Sequence, residues 1–326
     1  PPVGRLEIHS GAGVILMSTL QRLRTRLTRS GASENRLTRL FTPPGILLLP
    51  MGLLLLLMFV GPMVAIVVFS FQTGNSIVAN PLAWSIATYE EVIGGMISGE
   101  GVYGDVLVNT VAVSITTTAL TLVVSYPAAY ALSNRITRYK LVFLMLLIIP
   151  LFTSVNIRVF GWALFLVRNG VLESIVTVFG VEQYASLMYQ RSTIILGTTY
   201  IYLPFMLFPI YLSLLSVEDT TIEAAKDLGA SNYTLFRRIL LPLSKPGIVI
   251  GSLFVFVLSL GANVEAAILG GGSIFTLASN IQYSFGYSQN WPLGSTQAVG
   301  LLVITVVSGI VILRTIDLRE IAERGE

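Results

Sequence analysis

The sequence predicts an all-α integral membrane protein: six transmembrane helices and one cytoplasmic helix–turn–helix loop. Three observations point there. Six apolar runs approach or exceed the roughly 20 residues that a helix needs to cross a bilayer. Only 11% of the residues are charged and 54% are hydrophobic, with mean hydropathy +0.79, against roughly 25% charged in soluble domains. Lys and Arg also collect in alternate connecting segments, the mark of cytoplasmic loops.

Residues 1–45 form a basic N-terminal segment with Arg22, Arg24, Arg26, Arg29, Arg36 and Arg39. Met17, Leu20, Leu23 and Leu27 stand at helical spacing opposite several arginines. That fits a short helix lying on anionic lipid, and equally a solvated tail. Met17 precedes a suitable start, so residues 1–16 are expected to be either an upstream extension or a stretch foreign to the natural chain. No small-x-small cleavage site follows the first apolar run, so no cleavable signal is expected.

The expected spans are 46–69, 106–132, 141–165, 193–217, 247–268 and 298–313, which together make a membrane domain over 46–313. Pro62, Pro127, Pro150, Pro204 and Pro209 lie in or beside them. Membrane helices tolerate proline where neighbours re-satisfy the freed carbonyls. With the N-terminus inside, the inner segments are 1–45, 133–140, 218–246 and the tail 314–326. They hold 17 of the 20 Lys and Arg residues, all but Arg158, Arg168 and Arg191. Both termini and the loop 218–246 are therefore expected in the cytoplasm. Two outer loops remain, 71–104 and 269–297. The second runs from Gly270-Gly-Gly272 to Trp291-Pro-Leu-Gly294, and its Trp291 fits the headgroup belt, as does Trp84.

Several chemistries are excluded. There is no cysteine, hence no disulfide frame, Cys-ligated zinc or thiol catalysis, and the single histidine, His9, makes no metal site. The net charge of +3 is small, its placement matters more than its size, and no nucleic-acid partner is expected. A phosphate-cradling loop needs Gly-Lys-Ser/Thr, yet Lys140, Lys226 and Lys245 all lack a preceding glycine. If ATP drives transport, its hydrolysis lies on another polypeptide.

The loop 218–246 is a polar island between apolar runs. Thr220 and Glu223 have capping-box spacing. Gly229 suits the left-handed position that ends a helix. Ser231 is placed to cap a second short helix, which Pro242 limits. Ala224 and Ala225 leave a low surface that another protein can approach.

Glu223-Ala224-Ala225, three residues, Gly229, nine residues, then Ile239-x-Leu241-Pro242 resembles the cytoplasmic loop of binding-protein-dependent ABC importer permeases. All seven positions match. The alternative is an ordinary amphipathic surface loop. The resemblance implies a type I importer permease fold, with these seven residues docking in a cleft of a separate ATPase. It further implies a second permease, expected to be a different chain, two ATPase subunits and an external solute-binding protein. The chain itself would need no cofactor, ATP and Mg²⁺ belonging to the ATPase.

A softer likeness, to spermidine/putrescine permeases, covers residues 45–315. It is carried by Pro150, Ser154, Arg158, Gly161, Trp162 and Gly170; by Tyr202, Pro204, Phe205, Pro209 and Tyr211; and by Leu260-Gly261, Leu269-Gly-Gly271 and Trp291-Pro292. It departs at Ala262 and Ala267, where those relatives carry acidic residues, while Glu265 lies between. The likeness implies a polyamine-like solute. Ferric ion, thiamine or another nitrogenous solute stay open, as does a stand-alone secondary transporter or a non-transporting scaffold.

Glu265 is the one acidic residue in an expected span, about 27 Å along the fifth helix at ~1.5 Å per residue. An intramembrane carboxylate is a functional candidate by default; the alternative is a structural acid paired with Arg158 or Arg191. Asn263, Trp162 and Arg158 complete the candidate substrate pathway. Arg158 suits either an anionic ligand group or helix-end anchoring.

Overall fold

A computed structural model describes residues 43–73, 84–99, 101–134, 136, 138–180 and 186–314. Residues 1–42 of the basic segment 1–45, expected as an interfacial helix or a solvated tail, and residues 315–326 of the C-terminal tail lie outside the described residues. The chain divides into two units, 1–64 and 65–326.

The described part of the first unit belongs to α1 (Pro43–Ser70), which contains Pro50 and Pro62. Its residues from Met51 to Phe59 are apolar and exposed on every side. Such a helix suits lipid and no aqueous surface.

The second unit opens with the end of α1. There Ser70 Oγ lies 2.7 Å from Tyr89 Oη, and the Ser70 carbonyl accepts from Thr296 Oγ1 at 3.1 Å. The helices that follow are α2 (Ala87–Ser98), α3 (Gly101–Asn134), α4 (Lys140–Ile148), α5 (Val155–Leu166), α6 (Val171–Val178) and α7 (Arg191–Leu215). Then come α8 (Asp219–Asp227), α9 (Asn232–Leu235), α10 (Leu241–Leu243), α11 (Lys245–Leu260), α12 (Val264–Leu269), α13 (Leu277–Gly286) and α14 (Trp291–Arg314).

The core lies where α3, α7 and α11 meet, around Val113, Ile201, Met206, Ile210 and Val255. Lipid tails are as apolar as leucine, so close packing and interhelical hydrogen bonds hold such helices together. α3 buries a stripe of small polar residues, Thr110, Ser114, Thr117, Thr121 and Ser125, three or four apart. Thr117 Oγ1 lies 2.8 Å from Thr198 Oγ1 of α7. On α11, Gly247 and Gly251 form a small-xxx-small pair. A Cβ at Gly247 would stand 2.4 Å from the Pro209 carbonyl oxygen, and one at Gly251 would stand 2.9 Å from Met206 Sδ.

Three expected spans have other limits. The third is broken: α4 passes into a 3₁₀ turn over Ile149–Phe152 that carries Pro150, and Thr153 is extended before α5 begins. Proline lacks the donor and clashes with the preceding turn, which ends α4 there. The fifth stops at Leu260. Its 16 residues cover about 24 Å, short of a ~30 Å hydrocarbon core. Glu265 therefore lies on the separate helix α12, not on the fifth span. The sixth begins at Trp291 rather than 298, with Pro292 in its first turn, where a missing N–H costs nothing.

The segment 269–297, expected as a loop, instead holds α13 with Leu277, Ala278, Ser279 and Asn280 buried. Thr276 and Ser279 cap it reciprocally. The polar end of α3 anchors it. Leu277 N–H donates to Thr110 Oγ1 at 2.7 Å, and Asn109 Nδ2 donates to the Phe275 carbonyl at 3.2 Å. Arg191 donates to Asn109 Oδ1. Irregular backbone survives near membrane depth where protein covers it. Among the described residues five helical stretches are long and apolar enough to cross a bilayer, or six when the bent pair Asn232–Leu243 and Lys245–Leu260 counts as one.

Candidate coupling and translocation sites

Seven expected loop residues sit on the segment from α8 to α10. α8 starts one residue ahead of Thr220, with Glu218 as its N-cap. The expected capping box is therefore absent. Thr220 falls inside the first turn, and its hydroxyl donates to Glu218 Oε2 at 3.0 Å. The helix ends at Gly229, φ 81°, with Ala230 N–H bonded to the Ala225 carbonyl at 3.0 Å. That six-to-one closure needs a left-handed residue, which glycine adopts without steric cost. Ser231 Oγ then accepts from Thr234 N–H at 3.2 Å and starts α9.

Residues Phe236–Leu240 form a π-turn, in which Leu241 N–H reaches back to the Phe236 carbonyl. A wide turn ahead of Pro242 accommodates the ring and the missing donor. At Ser244 the path bends by 64° into α11. Ser244 is fully buried, and its Oγ lies 3.0 Å from Tyr126 Oη of α3. The Tyr126 ring meets Phe236 edge-on at 5.5 Å.

The fold separates these seven residues into two sets. Glu223, Ala224, Gly229, Leu241 and Pro242 are exposed. Ala225 and Ile239 pack partly against the core. Adjacent helical residues point about 100° apart, so the two alanines serve different faces. Leu228, 89% exposed, and Tyr233, 67% exposed, extend the outer face with apolar area. Reading for the motif alone missed both. Their signal was a large apolar side chain on each side of a polar turn.

The four expected pathway residues fall into two neighbourhoods. α5 packs against α12. Arg158 and Trp162 of α5 line an open cavity of about 440 Å³ with Gly161, Phe165 and Tyr200. Trp162 meets Phe165 and Tyr200 edge-on at 5.9 and 5.7 Å. Glu265 is 3% exposed and does not line this cavity. Its Oε1 accepts a 2.8 Å hydrogen bond from the Tyr202 hydroxyl. Arg158 lies within electrostatic reach of the same tyrosine. Among the described residues, Arg158 Nε and Asn263 Oδ1 are both buried without a hydrogen-bond partner. Arg191, the other candidate partner for Glu265, is engaged with Asn109 instead. Tyr202 was not among the expected site residues. Its signal was a tyrosine inside a span, whose hydroxyl needs a partner once buried.

The geometry is that of a membrane bundle with an exposed, bent polar loop. Comparison with known proteins agrees. Residues 92–319 match the family described as the binding-protein-dependent transport system inner membrane component.

The chain belongs to that family.

It is therefore a multi-pass inner-membrane permease of a binding-protein-dependent transport system, a transport component rather than an enzyme. The spermidine/putrescine transport system permease protein PotB of Escherichia coli is 30% identical over 263 residues, 80% of this chain and 92% of that protein. PotC of the same strain, also a spermidine/putrescine transport system permease protein, is 36% identical over 105 residues, 32% of this chain and 39% of that protein. Among solved structures, a bacterial alginate ABC transporter in complex with an alginate pentasaccharide-bound periplasmic protein superposes with TM-score 0.63. The match covers 82% of this chain and 91% of that one at 16% identity. At that identity the likeness concerns the fold of this permease family alone.

Proposed function

We propose that this chain is one permease of a two-permease, ATP-driven importer that passes a polyamine-like cation from an external binding protein into the cytoplasm. The supporting observation is the exposed α8–Gly229–α9 hinge joined to α11 through the buried bend at Ser244. A separate ATPase grips Glu223, Ala224, Gly229, Leu241 and Pro242, while Ala225 and Ile239 tie the loop to the core. ATP and Mg²⁺ belong to that subunit, and this chain needs no cofactor. Both termini face the cytoplasm, in keeping with the distribution of Lys and Arg.

The likeness to PotB supports a polyamine, and that to PotC supports a second, different permease. Glu265, Asn263, Arg158 and Trp162 contribute to the solute path. Carboxylate and amide oxygens suit ammonium groups, and aromatic faces suit the methylenes between them. ATP-driven closure of the ATPase pair moves the two coupling loops and opens the path alternately to each side.

The test is reconstitution of the chain with its second permease, ATPase and binding protein in liposomes. ATP-dependent uptake of labelled spermidine is expected. Uptake that persists without the ATPase would indicate a stand-alone transporter.

A further inference from the structure

α12 has six residues, and it follows the non-helical stretch Gly261–Asn263. So short a helix has little stability of its own and takes its position from tertiary contacts. Its buried carboxylate needs a donor, since an unpaired charge at low dielectric is costly. Among the described residues the donor is Tyr202, 8% exposed and 63 residues away in the chain. Arg158, on the helix packed against α12, is the obvious rival partner. Its Nε is buried and, among the described residues, has no hydrogen-bond partner, and it lies within electrostatic reach of Tyr202. Yet among the described residues no ion pair within 4.0 Å joins Arg158 to Glu265.

We propose that Tyr202 is a positioning residue that holds Glu265 off Arg158 and so keeps the carboxylate free of an ion pair until the solute path opens to it. An Arg158–Glu265 pair would be self-neutralising, and a passing cation would find no net charge there. The phenol holds the carboxylate by a neutral donor, so no direct ion pair with a guanidinium ties up its oxygens. The solute ammonium then has two acceptors close in sequence, Glu265 and the unpartnered Asn263 Oδ1. The cation can leave again, because Tyr202 keeps hold of the carboxylate once the ammonium departs. This rests on the polyamine reading above.

The experiment uses the full complex in proteoliposomes with labelled spermidine. Tyr202→Phe keeps the ring and removes the donor. Uptake is expected to fall about tenfold, the size of one hydrogen bond to a charged group, while ATP hydrolysis stimulated by the liganded binding protein stays within twofold. The decisive variant is Tyr202→Phe with Arg158→Gln. Removing the rival cation should return uptake to within about threefold of Arg158→Gln alone, a rescue that a packing role for Tyr202 would not give. The proposal is overturned if Tyr202→Phe transports within twofold of the unmodified complex, or if adding Tyr202→Phe to Arg158→Gln still costs about tenfold relative to Arg158→Gln alone. Absence of spermidine uptake by the unmodified complex overturns the polyamine reading and this proposal with it. Normal uptake beside an unaffected Tyr202→Phe overturns this proposal alone.

Discussion

Tyr126 Oη of α3 lies 3.0 Å from Ser244 Oγ, at the point where the inner loop bends by 64° into α11. On the proposed coupling, a displacement of α8 and α9 would reach the bundle through that bend. Ser244 also donates to the Leu241 carbonyl at 3.2 Å, so the serine ties three segments together. Tyr126→Phe should cost about 1 kcal/mol of stability, the net value of one buried hydrogen bond. It should also lower the uptake per ATP hydrolysed. A melting curve gives the first quantity and paired flux and phosphate assays give the second.

Gly229 sits at φ 81° with no heavy atom within 4 Å of the Cβ an alanine would add. Substitution there meets backbone strain and no clash. Gly229→Ala should cost roughly 1–2 kcal/mol locally while the bundle stays folded. Gly229→Asp and Glu223→Lys should insert normally yet abolish ATP-driven uptake. Full uptake by either would remove the loop from the coupling path.

Gly247 is the opposite case. An added Cβ would fall 2.4 Å from the Pro209 carbonyl oxygen and 2.7 Å from Ser213 Cβ. Gly247→Leu should separate α11 from α7 and cost 1–3 kcal/mol or more. A thermal melt of detergent-solubilised protein reports it. Gly161→Ala, with open space around it, is the matched control and should melt like the parent.

Glu265→Gln retains shape and removes charge. Uptake of a cationic solute should fall at least tenfold, while the ATPase still co-purifies. Unchanged uptake would leave Glu265 as a structural acid held by Tyr202.

The inner loop was legible in the sequence because local chemistry determines it. A glycine at positive φ and a serine cap need no distant partner to be read. The short helices α12 and α13 were not legible. Residues 247–268 form one apolar run, and hydropathy does not reveal that α11 stops at Leu260. The break at Gly261-Ala262-Asn263 sits beside longer-range contacts, with the Ala262 carbonyl accepting from Thr276 Oγ1 and Glu265 accepting from Tyr202 of α7. Trp291-Pro292 likewise looked like a loop end, because a helix that opens on proline resembles one that has not begun. The Thr110–Ser125 stripe was readable from its spacing alone, as close-packing residues of a membrane helix, and went unread because hydropathy averages over faces. Tyr202 and Glu265 could not be paired from a sequence in which they stand 63 residues apart.

The chain has no cysteine, so Ala224→Cys places a single thiol on the outer face of α8. The most direct measurement is disulfide cross-linking of that thiol to a cysteine in the ATPase surface cleft, with a membrane-impermeant thiol reagent applied from each side. The account predicts an ATPase adduct with Ala224→Cys, a much weaker one with the half-buried Ala225→Cys, and labelling from the cytoplasmic side only. An Ala224→Cys thiol labelled from outside, or one that never joins the ATPase in an actively transporting complex, would contradict it.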